Sequence, residues 1–382
     1  MKIFAIENFI SYTYQTIVEK LEGMGHQVVK YRCSTPVDNY VETQEEALLK
    51  KAIEKEKPQG VFTVNIWPPV ARVCHSLGIP YLGWSYDSPL NLATNQDLDY
   101  DTNFFFLFDR VEAASYRGQG LNNFYHLPLA TDTRAWDKIQ PGPETYQVSM
   151  VGNLYESTLP LLRQALSPYN RGYLQAMVEM QQKIYGCFLI DEVMTPEVLE
   201  DFNQDFEKTS LGHLSWKQVA MSIATYVTYM DRMSILSILS KRAETHLFTE
   251  KMSEENKKIL PNLKVHGRVS YLTEMPKVFK QSKINLNPSL RIIRSGISQR
   301  CLDVMACQGF LLSSYQPELA DYFVPDQELV LYESIEDAVE KALFYLAHED
   351  LRQEIALAGR KKVEGEFSYE KQLNKMLEIA GL

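Results

Sequence analysis

The residues best suited to chemistry follow the strand-like run at 284–287 and precede a helix predicted from about Ser298. The arginines and small residues of this loop are Arg291, Arg294, Ser295 and Gly296. Such a loop suits an anion, because backbone N–H groups at a helix start favour negative charge and arginine adds parallel donors. Asp303 follows about two helical turns after Ser295, within reach of a ligand's hydroxyl groups. The alternative is a surface turn with solvated arginines and an acid that faces water.

A second candidate, Asp87, follows the strand-like run at 81–84. Parallel α/β folds place their sites at the carboxyl ends of strands, so this acid suits proton transfer with a ligand hydroxyl. In the alternative interpretation, Asp87 caps a turn before Pro89, as aspartate commonly does.

Two mostly parallel sheets are predicted to position these residues. Short apolar runs alternate with helical stretches, first up to about residue 130 and again from 244, which indicates βαβ units and an α/β fold. Between 157 and 241 the pattern is helical. Gly152 and Asn153 close the first strand of the second part, where a loop at the site edge begins. The predicted strands are 1–6, 26–31, 61–64, 81–84, 103–108, 147–151, 244–248, 263–266, 284–287, 309–313 and 328–332.

The turn-rich segment 127–143 is interpreted as the crossing between two domains. The predicted N-terminal domain is Rossmann-like and covers 1–135. The predicted C-terminal domain, also Rossmann-like, covers 144–365 and includes the helical block 158–240. A C-terminal helix over 366–382 is predicted to pack back toward the first domain.

Composition excludes several classes of function. The chain has 382 residues, which favours two domains, and 49 acids against 39 bases give a net charge of −10, which disfavours a nucleic-acid partner. Five scattered cysteines form no CxxC pair and the histidines have no metal-ligand spacing, so neither a disulfide framework nor a catalytic metal is expected. With neither a signal peptide nor a membrane span recognisable, a cytoplasmic protein is expected.

Several strings of the sequence resemble one family of enzymes. The window SLRIIRSGISQRCLDVMACQGFLLSSYQPELADYF at 289–323 is similar to the donor-binding signature of GT-B glycosyltransferases, and within them to the bacterial spore-maturation CgeB-type group. Four further strings resemble sequences of the same group: CHSLGIPYLGWSYDSPL (74–90), FFFLFDR (104–110), YHLPLAT (125–131) and VSMVGNLY (148–155). The resemblance implies a GT-B architecture: two Rossmann-like domains facing a cleft, with a group 1-like C-terminal domain that carries an early helical insertion.

The resemblance also implies roles for individual residues. Ser295 and Asp303 occupy the two ends of an acidic pair with seven intervening residues that retaining relatives carry. Asp303 is then expected to hold the ribose, while Ser295 departs from the first acid, which leaves the stereochemical outcome open. Arg291 and Arg294 become the expected diphosphate clamps, because these folds generally use protein cations rather than a metal.

Other positions match less specific parts of the family pattern. His266 and Gly267 stand where relatives often contact the nucleobase, and Gly152 with Asn153 begins the donor-side loop. Ordinary turn chemistry is the alternative at both places. Glu7 and Asn8 end the first strand, where relatives often carry glycines near the donor phosphates, so a phosphate contact is less expected there.

The implied activity is metal-independent transfer of a hexosyl or N-acetylhexosaminyl group. The expected donor is a nucleotide sugar, with a UDP-sugar favoured, and the expected acceptor is a protein or glycan. Asp87 is the candidate acid or base. Two alternatives stay open: a nucleotide-sugar epimerase, and a catalytically degenerate nucleotide-sugar-binding or scaffold protein.

Overall fold

The computed structural model describes residues 1–8, 11–33, 44–90, 92, 94–143, 146–208 and 212–382. The chain divides into two compact units: unit 1 comprises Met1–Thr133 and Val363–Leu382, and unit 2 comprises Arg134–Lys362. Residues 144–145 and 209–211, which belong to the predicted second domain and its helical block, lie outside the described residues.

Unit 1 contains a six-stranded sheet in which every neighbouring pair is parallel, in the order β2-β1-β3-β4-β5-β6. Its strands are β1 (Lys2–Glu7), β2 (Gln27–Arg32), β3 (Gly60–Val64), β4 (Tyr81–Ser85), β5 (Asn103–Leu107) and β6 (Phe124–His126). Its helices are α1 (Tyr12–Gly23), α2 (Gln44–Glu56), α3 (Pro68–Leu77), α4 (Arg110–Gly118) and, near the end of the chain, α17 (Tyr369–Ile379).

Local sequence explains why these elements begin and end where they do. All five residues of β4 are buried, as expected for a strand covered by helices on both faces. Asp109 caps α4 by accepting a hydrogen bond from the backbone N–H of Glu112. Gly78 ends α3 in the left-handed conformation, with φ 64°, which glycine adopts without steric cost.

Unit 2 contains a second six-stranded parallel sheet, in the order β12-β11-β10-β7-β8-β9. Its strands are β7 (Tyr146–Val151), β8 (Thr245–Phe248), β9 (Lys264–His266), β10 (Ser282–Asn287), β11 (Leu311–Ser314) and β12 (Val330–Tyr332). The helices from the junction of the units onward are α5 (Thr133–Asp137), α6 (Leu159–Ala165), α7 (Pro168–Lys183), α8 (Ile190–Val193), α9 (Pro196–Glu207), α10 (Trp216–Leu239), α11 (Glu254–Ile259), α12 (Met275–Gln281), α13 (Gln299–Ala306), α14 (Pro317–Tyr322), α15 (Ile335–Ala347) and α16 (Glu349–Glu366).

The helical block of unit 2 consists of α6 to α10 and has a hydrophobic core of its own. Helix α10 begins at a capping box, in which Ser215 and Gln218 satisfy each other's backbone N–H groups. Its first half, including Val219 and Val227, packs in the block's core, whereas its last turns, including Leu236, pack against the central sheet. Helix α10 therefore joins the two cores.

The predicted α/β fold with two parallel sheets is confirmed. Strand β6 was not predicted, because three residues ahead of Pro128 are too few to show an alternating or continuous apolar pattern. Within unit 1, Lys20 of α1 pairs with Glu370 of α17 at 3.3 Å, so the helix predicted over 366–382 is part of that unit.

Candidate functional site

The sheet of unit 2 reverses its strand order between β7 and β10, because the chain continues to β8 on one side and to β11 on the other. In open parallel sheets, ligands bind beyond the carboxyl ends of the strands at such a reversal. The loops that start there are 152–158 after β7 and 288–298 after β10. The predicted residues Gly152 and Asn153 therefore lie at the same sheet edge as the arginine-containing loop.

The first of these loops approaches an arginine of helix α13. Gly152 has φ 144°, and a Cβ atom added to it would lie 3.3 Å from the guanidinium of Arg300. Tyr155, in the same loop, also has a positive φ of 61°. Glycine is needed at 152 for the backbone conformation and for the close approach of Arg300.

A second arginine, Arg232 of α10, lies beneath this loop and is 3% exposed. Its guanidinium donates to the carbonyl oxygens of Asn153 and Pro288, and its Cζ stands 4.7 Å from the centre of the Tyr155 ring. Arg232 thus ties the two site loops together.

The two arginines form a cationic cluster that we call the Arg232–Arg300 pair. Within the described residues, neither guanidinium has a carboxylate within 4.0 Å, and both Nε atoms are buried without a hydrogen-bond partner. Burial is the main cause that lowers the pKa of Arg232 to about 10, and the positive charge of Arg300 contributes in the same direction. Because buried charge is costly without a counter-charge, this pair favours binding of an anion.

A pocket of about 270 Å³ adjoins the loop after β7. It is lined by Asn153, Leu154, Tyr155, Glu156, Glu250 and Lys251. Because Glu250 and Lys251 follow β8, the pocket opens at the carboxyl ends of β7 and β8.

Arg291, predicted as a diphosphate clamp, contacts the helical block. The side chain is 6% exposed, and its Nη2 lies 2.7 Å from Oδ2 of Asp231 on α10. It also donates to the carbonyl of Ile184 at 3.0 Å and stacks 3.5 Å from the centre of the Tyr185 ring. Because Nε of Arg291 donates to Asp231 and Nη1 donates to Ile184, Arg291 anchors the loop after β10 to the block. Burial raises the pKa of Asp231, and Arg291 opposes that shift.

Arg294, the other predicted clamp, forms a forked ion pair with Asp191 of α8. Its Nε lies 2.5 Å from Oδ2, and its Nη2 donates to Oδ1 at 3.0 Å. Two arginines of the loop after β10 are thus paired with two acids of the helical block, and both acids lie far from the arginines in the sequence.

The small residues of this loop, Ser295 and Gly296, are buried. Ser295 is fully buried, and its hydroxyl is hydrogen-bonded to Glu318 of α14. Ser298 is the N-cap residue of α13, and its side chain makes no capping hydrogen bond. The first turn of α13 carries Arg300 and no acid, a charge pattern that suits a negative ligand.

Asp303, predicted to hold the ribose, is 1% exposed. Its Oδ2 accepts from the hydroxyl of Tyr271 at 2.9 Å, and its Oδ1 accepts from Nε2 of Gln299 at 2.9 Å. The Tyr271 ring in turn meets Trp136 edge-on at 5.7 Å. In this arrangement Asp303 positions Tyr271 and Gln299.

His266 and Gly267 lie at the end of β9, the edge strand, and β8 separates them from β7. Nε2 of His266 lies 2.8 Å from Nδ1 of His246, whose Nε2 lies 3.1 Å from Glu244. Burial lowers the pKa of both histidines, and Glu244 opposes this shift at His246. A Cβ atom on Gly267 would meet nothing within 4 Å, so its surroundings are open.

In unit 1, Asp87 lies at the carboxyl end of β4 and is exposed. Its Oδ2 accepts from Nδ2 of Asn65 at 2.8 Å, and Oδ1 of Asn65 accepts from the backbone N–H of Tyr86 at 2.9 Å. The carboxylate of Glu112 accepts from Ser88 at 2.6 Å and from the N–H of Leu90 at 2.7 Å. These contacts hold the loop that carries Asp87 from both sides.

The end of β1 carries Glu7, which is 7% exposed and pairs with Arg32 at 2.6 Å. Asn8 is buried beside it. The order of strands in unit 1 reverses between β1 and β3, so Glu7 and Asn65 flank that reversal.

Sequence reasoning missed Arg232, Arg300, Gln299, Glu318, Asn65 and Glu112. For Gln299 a signal existed, since it stands four residues before Asp303 on one helix face. The others meet their partners only through the tertiary fold.

The described residues contain no group of three or more His, Cys, Asp or Glu side chains arranged to hold a metal ion. No helix in that part of the chain combines the length and apolar character that a bilayer crossing needs.

Residues 237–378 match the family model described as Glycosyl transferase-like. No curated protein matches the sequence. Among solved structures, a glycosyltransferase from Rickettsia africae is similar over 99% of this chain and 97% of its own, with TM-score 0.63 and 11% identity.

Two further structures are similar over the whole chain. Sucrose-phosphate synthase from Thermosynechococcus elongatus has TM-score 0.58 and 9% identity over 99% of this chain and 98% of its own. Anabaena HepE, in complex with UDP and glucose, has TM-score 0.56 and 9% identity over 100% of this chain and 99% of its own. The two sheets and these likenesses define the fold as that of GT-B glycosyltransferases.

Proposed function

We propose that this protein is a glycosyltransferase that uses a nucleotide-sugar donor, with a UDP-sugar favoured. The observation that carries the proposal is the Arg232–Arg300 pair at the strand reversal of unit 2, beside Gly152 and without a carboxylate partner among the described residues. A diphosphate supplies the counter-charge that this pair lacks. The match of residues 237–378 to a glycosyl transferase-like family and the UDP bound by HepE support the choice of ligand.

The reaction would transfer a hexosyl or N-acetylhexosaminyl group to a hydroxyl of a protein or glycan. The bond between the anomeric carbon and the β-phosphate oxygen breaks, and its electron pair leaves with UDP. The acceptor oxygen bonds to the anomeric carbon, and its proton passes to a base, for which Asp87 is our candidate. Asn65 would keep Asp87 oriented by donating to Oδ2.

Arg232 and Arg300 would stabilise the charge that develops on the leaving diphosphate. Because protein cations fill this role, we propose that transfer needs no metal. Gly267, with open space around it, and His266 remain our candidates for the nucleobase side. Tyr271 and Gln299, held by Asp303, are the candidates for the ribose. Assignment to the CgeB-type group and a cytoplasmic location stay predictions.

The test is calorimetric titration with UDP. We expect saturable binding by the wild type and a Kd raised about tenfold or more in Arg300→Gln, since a hydrogen-bonded charge is lost. The matched control is Arg242→Gln, an exposed arginine of the same unit, which should bind UDP normally. Equal affinity of Arg300→Gln and wild type would remove this arginine from the site.

Turnover is followed as UDP release from UDP-glucose and UDP-N-acetylglucosamine with a panel of acceptors, with and without EDTA. Ser295, which stands in place of the first acid of retaining relatives, keeps one alternative open, a nucleotide-sugar-binding protein without turnover. Tight UDP binding with no transfer to any acceptor would favour that alternative. Conversion of the sugar nucleotide without an acceptor would instead indicate an epimerase.

A further inference from the structure

The helical block contains a second pocket, of about 370 Å³, between α6, α7 and α10. Its floor includes Leu159, Leu174 and Val178, which are 5%, 1% and 2% exposed and belong to the hydrophobic core of the block. The volume lies within the range of roughly 300–1,000 Å³ typical of small-molecule sites. The pocket shares no residue with the loops after β7 and β10 that carry the donor site.

The rim of this pocket is cationic. Arg163 and Arg171 line it together with the amides of Gln164 and Gln175, and its lining contains no carboxylate. Both arginines are exposed, and across the described ranges neither has an acid within 4.0 Å. Nε of Arg171 donates to the carbonyl of Leu166 at 2.9 Å, which directs its guanidinium along the rim.

The pocket therefore carries two arginines that have no acid partner among the described residues. Each exposed guanidinium retains planar donors that match a phosphate or carboxylate. The buried leucines and valine below them suit an apolar group, so the pocket combines an anionic subsite with an apolar one.

We infer that this pocket binds an anionic amphiphile. Its phosphate or carboxylate lies between Arg163 and Arg171, and its hydrocarbon part covers Leu159, Leu174 and Val178. The same chemistry is offered by a soluble alkyl phosphate and by the phosphate end of a membrane lipid. The inference does not depend on the donor or on turnover, because all of its residues lie in the helical block.

Octyl phosphate, below its micelle concentration, is the probe for calorimetric titration of the full chain. We expect one saturable site in the wild type, and a Kd raised about tenfold or more in Arg163→Gln, whose side chain makes no hydrogen bond within the described residues. Gln175→Trp should abolish binding by filling the pocket from a partly exposed position. Arg242→Gln is the matched control and should bind octyl phosphate as the wild type does.

Two further measurements complete the test: vesicle flotation and a titration with inorganic phosphate. Flotation with vesicles of anionic or neutral phospholipid shows whether the anionic ligand is a membrane lipid or a soluble molecule. If the protein is retained on anionic vesicles and Arg163→Gln abolishes the retention, the ligand is a lipid phosphate. If the protein binds octyl phosphate but is not retained on vesicles, the ligand is soluble. Inorganic phosphate bound as tightly as octyl phosphate would overturn the apolar subsite. The inference would be overturned if the wild type does not bind octyl phosphate. It would also be overturned if the folded Arg163→Gln and Gln175→Trp variants bind octyl phosphate as tightly as the wild type does.

Discussion

Ser295 donates its hydroxyl hydrogen to Oε1 of Glu318 over 2.7 Å, and both side chains are fully buried. The backbone N–H of Glu318 returns a hydrogen bond to the carbonyl of Ser295 at 3.1 Å. The loop after β10 and the start of α14 are therefore joined twice. The resemblance to retaining GT-B enzymes expects an acid at position 295, and this chain instead brings the carboxylate of Glu318 next to that position.

Replacing Ser295 by alanine should lower the free energy of unfolding by about 1–3 kcal/mol, because the buried Glu318 carboxylate loses a donor. Urea denaturation measures the change. Ser298→Ala is the control from the same loop, since Ser298 makes no capping hydrogen bond. A Ser295→Ala variant as stable as Ser298→Ala would mean that the hydroxyl contributes nothing to folding.

The buried pair of Arg291 and Asp231 gives a prediction that separates anchoring from phosphate binding. Asp231→Asn and Arg291→Met should each lose about 3–5 kcal/mol of stability, because each leaves a buried charge without its partner. The double variant should recover part of the loss, since neither charge remains. Denaturation of the three variants provides the double-mutant cycle. Full stability of Arg291→Met together with weakened UDP binding would instead support the clamp predicted from the sequence.

The sequence allowed the fold to be predicted because β4, β5 and β8 grow out of short, mostly apolar runs. Every residue of β4 and β8 is buried, and so are four of the five residues of β5, as a doubly covered parallel sheet requires. The carboxyl ends of those strands then located the site loops. The charge partners were beyond such reasoning. Nothing local indicates that Arg291 meets Asp231 on α10, or that Arg300 faces Gly152, because only the packing of α10 and α13 brings these residues together.

Two glycines of the candidate site should respond differently to alanine. Gly152→Ala should destabilise the protein by at least about 1 kcal/mol, because φ 144° is strained for any side chain and the new methyl group meets Arg300. It should also weaken UDP binding by displacing that guanidinium.

Gly267→Ala should leave the melting temperature unchanged, because nothing lies within 4 Å of the added Cβ atom. Any loss of UDP affinity in this variant would then report the approach of a ligand rather than damage to the fold. Unchanged affinity in calorimetry would argue against a nucleobase contact at Gly267.

The stacked histidines 246 and 266 make stability depend on pH. Burial lowers the pKa of both below the ordinary value of 6.5, so the unfolded chain binds protons more readily than the folded one. Their contribution to stability is complete above about pH 6.5 and is lost as the pH falls through the lowered folded-state pKa values. Protonation of both rings also leaves two N–H donors facing each other across the 2.8 Å contact.

We therefore expect the free energy of unfolding to fall between pH 7 and pH 5, and His266→Phe to reduce this slope. Phenylalanine keeps a ring against Phe248, whose ring lies 4.4 Å from that of His266, but it cannot take up a proton. His348→Phe, in an exposed position outside the pair, is the matched control and should keep the wild-type slope. If His266→Phe and wild type lose stability in parallel over this range, the acid sensitivity arises from other groups.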